Sequence, residues 1–304
     1  VDFIYGEVLI LLNLPGNIFN NFWGYLFRKF NILDYNNFKK GVEGMSKYEY
    51  YNLEVKGPLA YVTLNRPDRM NMMGFGPWKE ILLVQDEIEA NRDIRVVIIK
   101  ADGDHFSAGI NLRDLEQANS LSVADNINWL QRVYGRWQEM NPIVIAAVQG
   151  LCYGAGFEMI CACDIRIAAE DAIFAIPEVR FGLSPDMGGS QRLPRLVGPG
   201  QAKRLILACE EIDGREARDI GFVEIVVPRD QLYERADKLA QKIIANPPWA
   251  VRFGKKAINA SMDSSLAGGL LLEQIQTIFC CGTEDQNEAI HAFFEKRKPE
   301  FKER

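Results

Sequence analysis

The chain has 304 residues, 48% apolar, 25% charged and 11% aromatic. That is the composition of an ordinary globular protein, long enough to bury a core without disulfides or a metal. Its 35 Lys and Arg against 41 Asp and Glu leave a formal net charge of −6, which argues against a dedicated nucleic-acid binder with a basic stripe. Only His105 and His291 represent histidine. A multi-histidine zinc site is therefore excluded, and an acid or base here is expected to be a carboxylate.

The first 44 residues are rich in Asn, Phe, Ile and Leu and differ in character from the rest of the chain. Their apolar run Val8–Leu14 is broken by Asn13 and leads into Pro15 and Gly16, far short of the ~20 residues a membrane span needs. Asp2 and Glu7 stand where a signal peptide would carry basic residues. Met45 opens MSKYEYYNLEVKG, which reads as the start of a domain. Residues 1–44 are thus expected to be an extension, disordered or read from a misplaced start codon. The other reading is a weak membrane-surface or partner-binding segment, suggested by Trp23, Phe27 and Phe30 beside Arg28 and Lys29.

From Tyr48 the pattern becomes regular. Tyr50–Val55 and Leu59–Leu64 read as strands joined by the turn Lys56-Gly57-Pro58. Ile81, Leu82, Val84 and Ile88 recur at helical spacing within Trp78–Ala90. Arg95–Lys100 and Pro142–Val148 are apolar runs of the buried-strand type, with a long helix over Val123–Gln138 between them. Trp129 and Trp137 are expected to pack on that helix rather than line a pocket. A short helix through Glu158 to Cys163 and a strand Ile165–Ala168 come next. The last third is expected to be nearly all helical, broken at Pro228 and at Pro247-Pro248. Strand–helix alternation ahead of a helical tail indicates an α/β core. The six cysteines include no CxxC spacing, so they are read as reduced thiols of a cytosolic protein rather than ligands.

Three segments concentrate the chemistry. GDHFSAGINL (Gly103–Leu112) comes after a buried strand, and its glycines could turn backbone N–H groups outward, although a tight turn into a helix would look the same. VQGLCYGAGFEMICACD (Val148–Asp164) runs from a strand into a helix starting near Ala155, where free N–H groups and the helix dipole would favour an oxyanion. It lacks the full GxGxxG of a dinucleotide site. Glu158 sits one turn into that helix among apolar residues. In IPEVRFGLSPDMGGSQRLPR (Ile176–Arg195), Glu178 could be a solvated loop carboxylate and Asp186 an N-cap.

Together these segments resemble the enoyl-CoA hydratase/isomerase family, the crotonase superfamily, over about residues 48–304. The matching blocks are LNRPDRMN (Leu64–Asn71), HFSAGINL, GAGFE, PEV…GLSPDMGGSQRLPRLVG and FFEKRKPEFK (Phe293–Lys302). The resemblance implies an α/β fold. A core of repeated β-β-α turns would form two roughly perpendicular sheets over residues 45–245, and an α-helical trimerisation region would span 246–304. It implies a homotrimer or homohexamer. The charge balance, the short apolar runs and the reduced thiols lead separately to the expectation of a cytoplasmic protein with no nucleic-acid partner and no stable membrane insertion. The substrate would be an acyl-CoA thioester, with no metal and no cofactor beyond the coenzyme A that belongs to the substrate.

By motif position the resemblance makes the N–H groups of Ile110 and Ala155 an oxyanion hole for the thioester oxygen. Coenzyme A would lie along Ala108, Asn111 and Leu112 and meet Lys296. Cys281 stands where relatives often carry an aromatic at the coenzyme A site, a departure from the family pattern. Glu158 and Glu178 match the two glutamates with which hydratases add water to a 2-enoyl-CoA. Asp186 departs from the hydratase glycine and matches the aspartate of Δ(3,5)-Δ(2,4)-dienoyl-CoA isomerases, which pair it with the equivalent of Glu178. Hydration is the leading expectation, dienoyl isomerisation the alternative, with C–C cleavage and ring hydration behind them. A non-catalytic binding protein of this fold is the reading from another class, opposed by the retained Glu158/Glu178 pair.

Overall fold

A computed structural model describes residues 48–116 and 118–303. The extension expected over 1–44, with its Met45 boundary, lies outside the described residues.

Strands β1 (Tyr51–Lys56) and β2 (Leu59–Leu64) form an antiparallel hairpin whose turn uses Gly57 at φ +57°. Next in the chain are β3 (Val96–Ala101), β4 (Ile143–Val148), β5 (Leu151–Tyr153), β6 (Ile165–Ala169), β7 (Ile173–Ala175), β8 (Ile212–Asp213) and β9 (Ile225–Val227). The larger sheet has the order β1-β2-β3-β4-β6-β9 and is parallel from β2 onward. Its central strand β4 is buried at all six positions. This explains why its sequence is a continuous apolar run rather than an alternating one. A second sheet was implied by the resemblance, but the strands that form it, β5-β7-β8, were not placed from the sequence. Between the strand ending at Val148 and the helix starting at Ala155, Leu151–Tyr153 forms a further strand, too short to show a period of two.

The helices are α1 (Phe75–Ala90), α2 (Leu112–Glu116), α3 (Ser120–Glu139), α4 (Ala155–Cys161), α5 (Gly189–Ala208), α6 (Gly214–Asp219), α7 (Leu232–Ile244), α8 (Pro248–Ser261), α9 (Leu266–Cys280) and α10 (Glu284–Glu295). Two start three residues earlier than expected. α1 accommodates Pro77 in its first turn, where a missing N–H is harmless. α3 is nucleated by Asn119, which accepts from Leu121 and Ser122 N–H in a capping box. Leu232, Ala236 and Ala240 of α7, four residues apart, cover Val96, Ile98, Ile145 and Ile167 of the large sheet.

All seven residues of α4 are buried. Phe157 stacks on Phe222 at 4.4 Å between ring centres, and Phe174 meets Phe222 edge-on at 5.6 Å. The C-terminal end of α4 is closed by buried Arg166, whose Nη1 donates to Cys163 O (2.9 Å) and Ile160 O (3.3 Å). Next to it, Lys255 of α8 reaches into the core. Its Nζ lies 2.7 Å from Asp164 Oδ2 and donates to Pro142 O (2.8 Å) and Trp137 O (3.2 Å). Burial pushes the Asp164 carboxyl up and the Lys255 amine down, as desolvation of charged forms requires. Cys152, Cys161, Cys163 and Cys209 are buried free thiols, and no group of metal-ligating side chains occurs among the described residues. Trp137 is fully buried, whereas Trp129 is half-buried, its ring 6.3 Å from that of Phe75.

Candidate active site

The turn after β3 is built by two side chains. Asn71 Nδ2 donates to Asp102 O and His105 O, both at 2.9 Å. Ser107 Oγ donates to Asn71 O (2.9 Å) and accepts from Gly109 N (3.2 Å). The turn then pairs on both sides. Ser107 bonds Leu151 O and Tyr153 N, while Gly109 O accepts from Met73 N and Asn111 N donates to Met73 O. Gly109 has φ +88°, and a Cβ there would lie 3.0 Å from Tyr153 O, so only glycine fits. This pairing uses the polar groups on either side of Ile110 but leaves the Ile110 N–H without an acceptor among the described residues.

The second turn lies against the first: the Cα atom of Gly109 is 3.9 Å from where a Cβ on Gly154 would stand. Gly154 (φ +48°, ψ −118°) donates its N–H to Ala175 O and hands the chain to α4. Ala155 is the first helical residue, so its N–H has no partner within the helix, and none elsewhere among the described residues. Two adjacent turns thus present two unpaired peptide donors.

Three carboxyl groups stand beside them. Glu158, 2% exposed, projects from α4, and its Oε1 accepts from Met187 N (3.0 Å) and Gly189 N (2.8 Å). A Cβ on Gly189 would fall 2.8 Å from that oxygen. Glu178 opens the 3-10 turn Glu178–Phe181, and its Oε1 lies 3.0 Å from the Cβ position of Gly154. Its other oxygen, Oε2, is buried with no hydrogen-bond partner, a cost of about 1–3 kcal/mol that a bound ligand would relieve. Asp186 is the most exposed of the three and does not cap α5, whose N-cap is Gly188.

Burial, and then the charge of Glu178, pushes the Glu158 carboxyl up to about 8, against the pull of the Gly189 and Met187 N–H groups. Burial pushes Glu178 up to about 7, its own backbone N–H opposing and Asp186 adding. Desolvation raises Asp186 as well. Two neighbouring carboxyls held near neutrality can give and take protons at physiological pH.

Of the residues expected to touch coenzyme A, half-buried Ala108 and Asn111 lie in the first turn and exposed Leu112 opens α2. Lys296 is exposed at the end of α10, in left-handed conformation at φ 55°, and makes no ion pair among the described residues. Among the described residues, no hydrogen bond or ion pair brings it to the carboxyl cluster. The amides of Met187 and Gly189, which hold Glu158, were missed. The Gly188-Gly189 pair was the available signal.

The family model for enoyl-CoA hydratase/isomerase matches residues 54–304. A short-chain-enoyl-CoA hydratase of Clostridium acetobutylicum is 40% identical over 254 residues, covering 83% of this chain and 97% of that one. A crotonyl-CoA hydratase of Syntrophomonas wolfei is 37% identical, covering 84% and 98%. The crystal structure of an enoyl-CoA hydratase from Bacillus anthracis superposes with a TM-score of 0.81 at 34% identity, covering 84% of this chain and all of that one.

Proposed function

The chain belongs to the enoyl-CoA hydratase/isomerase family, and on that premise we propose that it adds water across the double bond of a short-chain 2-enoyl-CoA. The observation that carries the reading is the pair of unpaired N–H groups, on Ile110 and Ala155, beside Glu158 and Glu178. Attack at Cβ moves negative charge onto the thioester oxygen, and the two peptide donors hold that enolate. Each donor in such a hole is worth about 2.7–4 kcal/mol in the transition state.

The carboxyl pair handles the protons. One carboxylate takes a proton from water as its oxygen bonds to Cβ, and the other carboxylic acid delivers a proton to Cα. The pair ends with the same number of protons it began with. Titration near neutrality belongs to the two groups jointly, and the unpartnered Oε2 of Glu178 offers an acceptor for the water. Ala108, Asn111 and Leu112 would carry coenzyme A, and no metal or further cofactor enters the chemistry. We also propose a homotrimer or larger assembly of trimers in the cytoplasm. Leu266, Leu270, Leu271, Ile275 and Ile278 on α9 are all exposed, an apolar surface of the kind subunits cover. Lys296 would meet coenzyme A bound to a neighbouring copy.

Incubation with crotonyl-CoA should bleach the conjugated thioester absorbance and yield a product heavier by one water. No turnover on any short or medium 2-enoyl-CoA would reject the reading. Asp186 supports a second one, because its charge raises both glutamates. Given a 3,5-dienoyl-CoA, an isomerase would return an isobaric 2,4-diene, and Asp186→Gly would abolish that activity while sparing hydration.

A further inference from the structure

The two N–H groups that hold Glu158 belong to peptides whose carbonyl ends are also held. The carbonyl of Asp186 shares its peptide with the Met187 N–H, and Gln131 Nε2, on α3, donates to that carbonyl at 2.7 Å. The carbonyl of Gly188 shares its peptide with the Gly189 N–H and accepts from Arg192 N at 2.7 Å. In a trans peptide the C=O and N–H point opposite ways. A donor on the carbonyl therefore both aims the N–H at the far side and polarises it.

Arg192 adds a side-chain brace. Its Nη1 donates to Met187 O (3.1 Å) and its Nε to Gln138 Oε1 (2.9 Å), again on α3. A Cβ on Gly188, which has φ +111°, would stand 1.8 Å from that Nη1, so glycine lets the guanidinium lie over the loop. Arg192 makes no ion pair among the described residues despite the acids nearby. Its donors go to neutral oxygens.

We propose that Gln131 and Arg192 are positioning residues that set the proton affinity of Glu158 through the peptides of the 186–189 loop, tying α3 to the catalytic carboxyl. Glu178 and Asp186 act electrostatically on Glu158, which in turn acts on Tyr134 of α3 and Cys161 of α4. The Arg192 guanidinium acts on Cys161 of the same helix, so its charge faces α4 as well as bracing the loop; Gln131 carries no charge, and its influence runs through the loop alone.

The test uses the full chain with Gln131→Met, which removes the donor from an exposed side chain and spares the fold, and Arg192→Gln beside it. The kinetic measurement rests on the hydratase reading, so a second measurement does not. It is infrared titration of the carboxylic acid C=O band with labelled glutamate, the Glu158 band being assigned by its loss in Glu158→Gln. Weaker donation to the carboxylate raises its proton affinity, so both the band midpoint and the alkaline limb of kcat/KM on crotonyl-CoA should move up by about half a pH unit or more. Gln131→Lys, which restores a donor, should return the limb toward the parent. A lowered rate with an unmoved Glu158 band in Gln131→Met would overturn the proposal. A moved band in a protein that hydrates nothing would uphold the positioning role and reject the hydratase reading.

Discussion

Replacing Glu158 by glutamine should make the protein more stable and less active, with the gain in stability growing with pH. Glutamine keeps an oxygen for the Met187 and Gly189 N–H groups that bond Oε1 at 3.0 and 2.8 Å, so the packing survives. What disappears is a carboxyl that burial holds up at about 8 against an ordinary 4.5. Above pH 4.5 the unfolded chain ionises this group and the folded chain does not, which favours unfolding by 1.36 kcal/mol per pH unit until the folded carboxyl also ionises. By pH 7 the wild type has lost about 3 kcal/mol in this way, while at pH 5 the loss is under about 1 kcal/mol. Urea unfolding of both proteins at pH 5, 6, 7 and 8 measures the gap directly. It should open steadily with pH and level off above about 8. Hydration of crotonyl-CoA by the variant should fall by about 10²–10⁴-fold, the usual contribution of a positioned proton carrier. Parallel stability curves would refute the argument, because they would mean the folded carboxyl ionises as freely as the unfolded one.

Other outcomes rest on the same geometry. With Glu178 pushed up to about 7 and Glu158 to about 8, kcat/KM should be bell-shaped in pH. It should rise as the pair releases its first proton near 7 and fall as it releases the second near 8; a profile flat from pH 6 to 9 contradicts the shared-proton scheme. Gly154→Ala forces a β-carbon into a backbone conformation reserved for glycine, 3.0 Å from Glu178 Oε1. It should destabilise by about 1–3 kcal/mol and lower kcat more than it raises KM, as steady-state kinetics will report. Lys255→Met takes the ammonium partner from buried Asp164, leaving it the Val144 N–H and the more distant Arg166, and should reduce the urea-unfolding free energy by about 3 kcal/mol. The double variant Lys255→Met/Asp164→Asn should recover most of that loss.

The centre of the large sheet was legible because its middle strands are buried on both faces: an unbroken run such as Ile143–Val148 carries its own signature. The small sheet was not, because strands of two and three residues show no period. The position of Ala155 at a helix start could be read from the glycines before it. That Ile110 keeps a free N–H could not, since it depends on Met73 pairing with the residues on either side. Glu158 stood out as a lone acid on an apolar helix. Gln131 and Arg192 did not, because a glutamine 55 residues from the carbonyl it holds leaves no local trace.

Both donors that would face the enolate are peptide groups, and this has a consequence for how the site can vary. A side-chain donor can be lost through many codon changes, whereas a peptide N–H is removed only by proline. Ile110 and Ala155 can therefore exchange their side chains for others of fitting size while the charge-stabilising groups stay in place. Sensitivity moves instead to the glycines that shape the turns, where any β-carbon meets Tyr153 O or Glu178 Oε1 at 3.0 Å. In a saturation library the positions that supply the hydrogen bonds should tolerate substitution, and Gly109 and Gly154, which supply none to the substrate, should not.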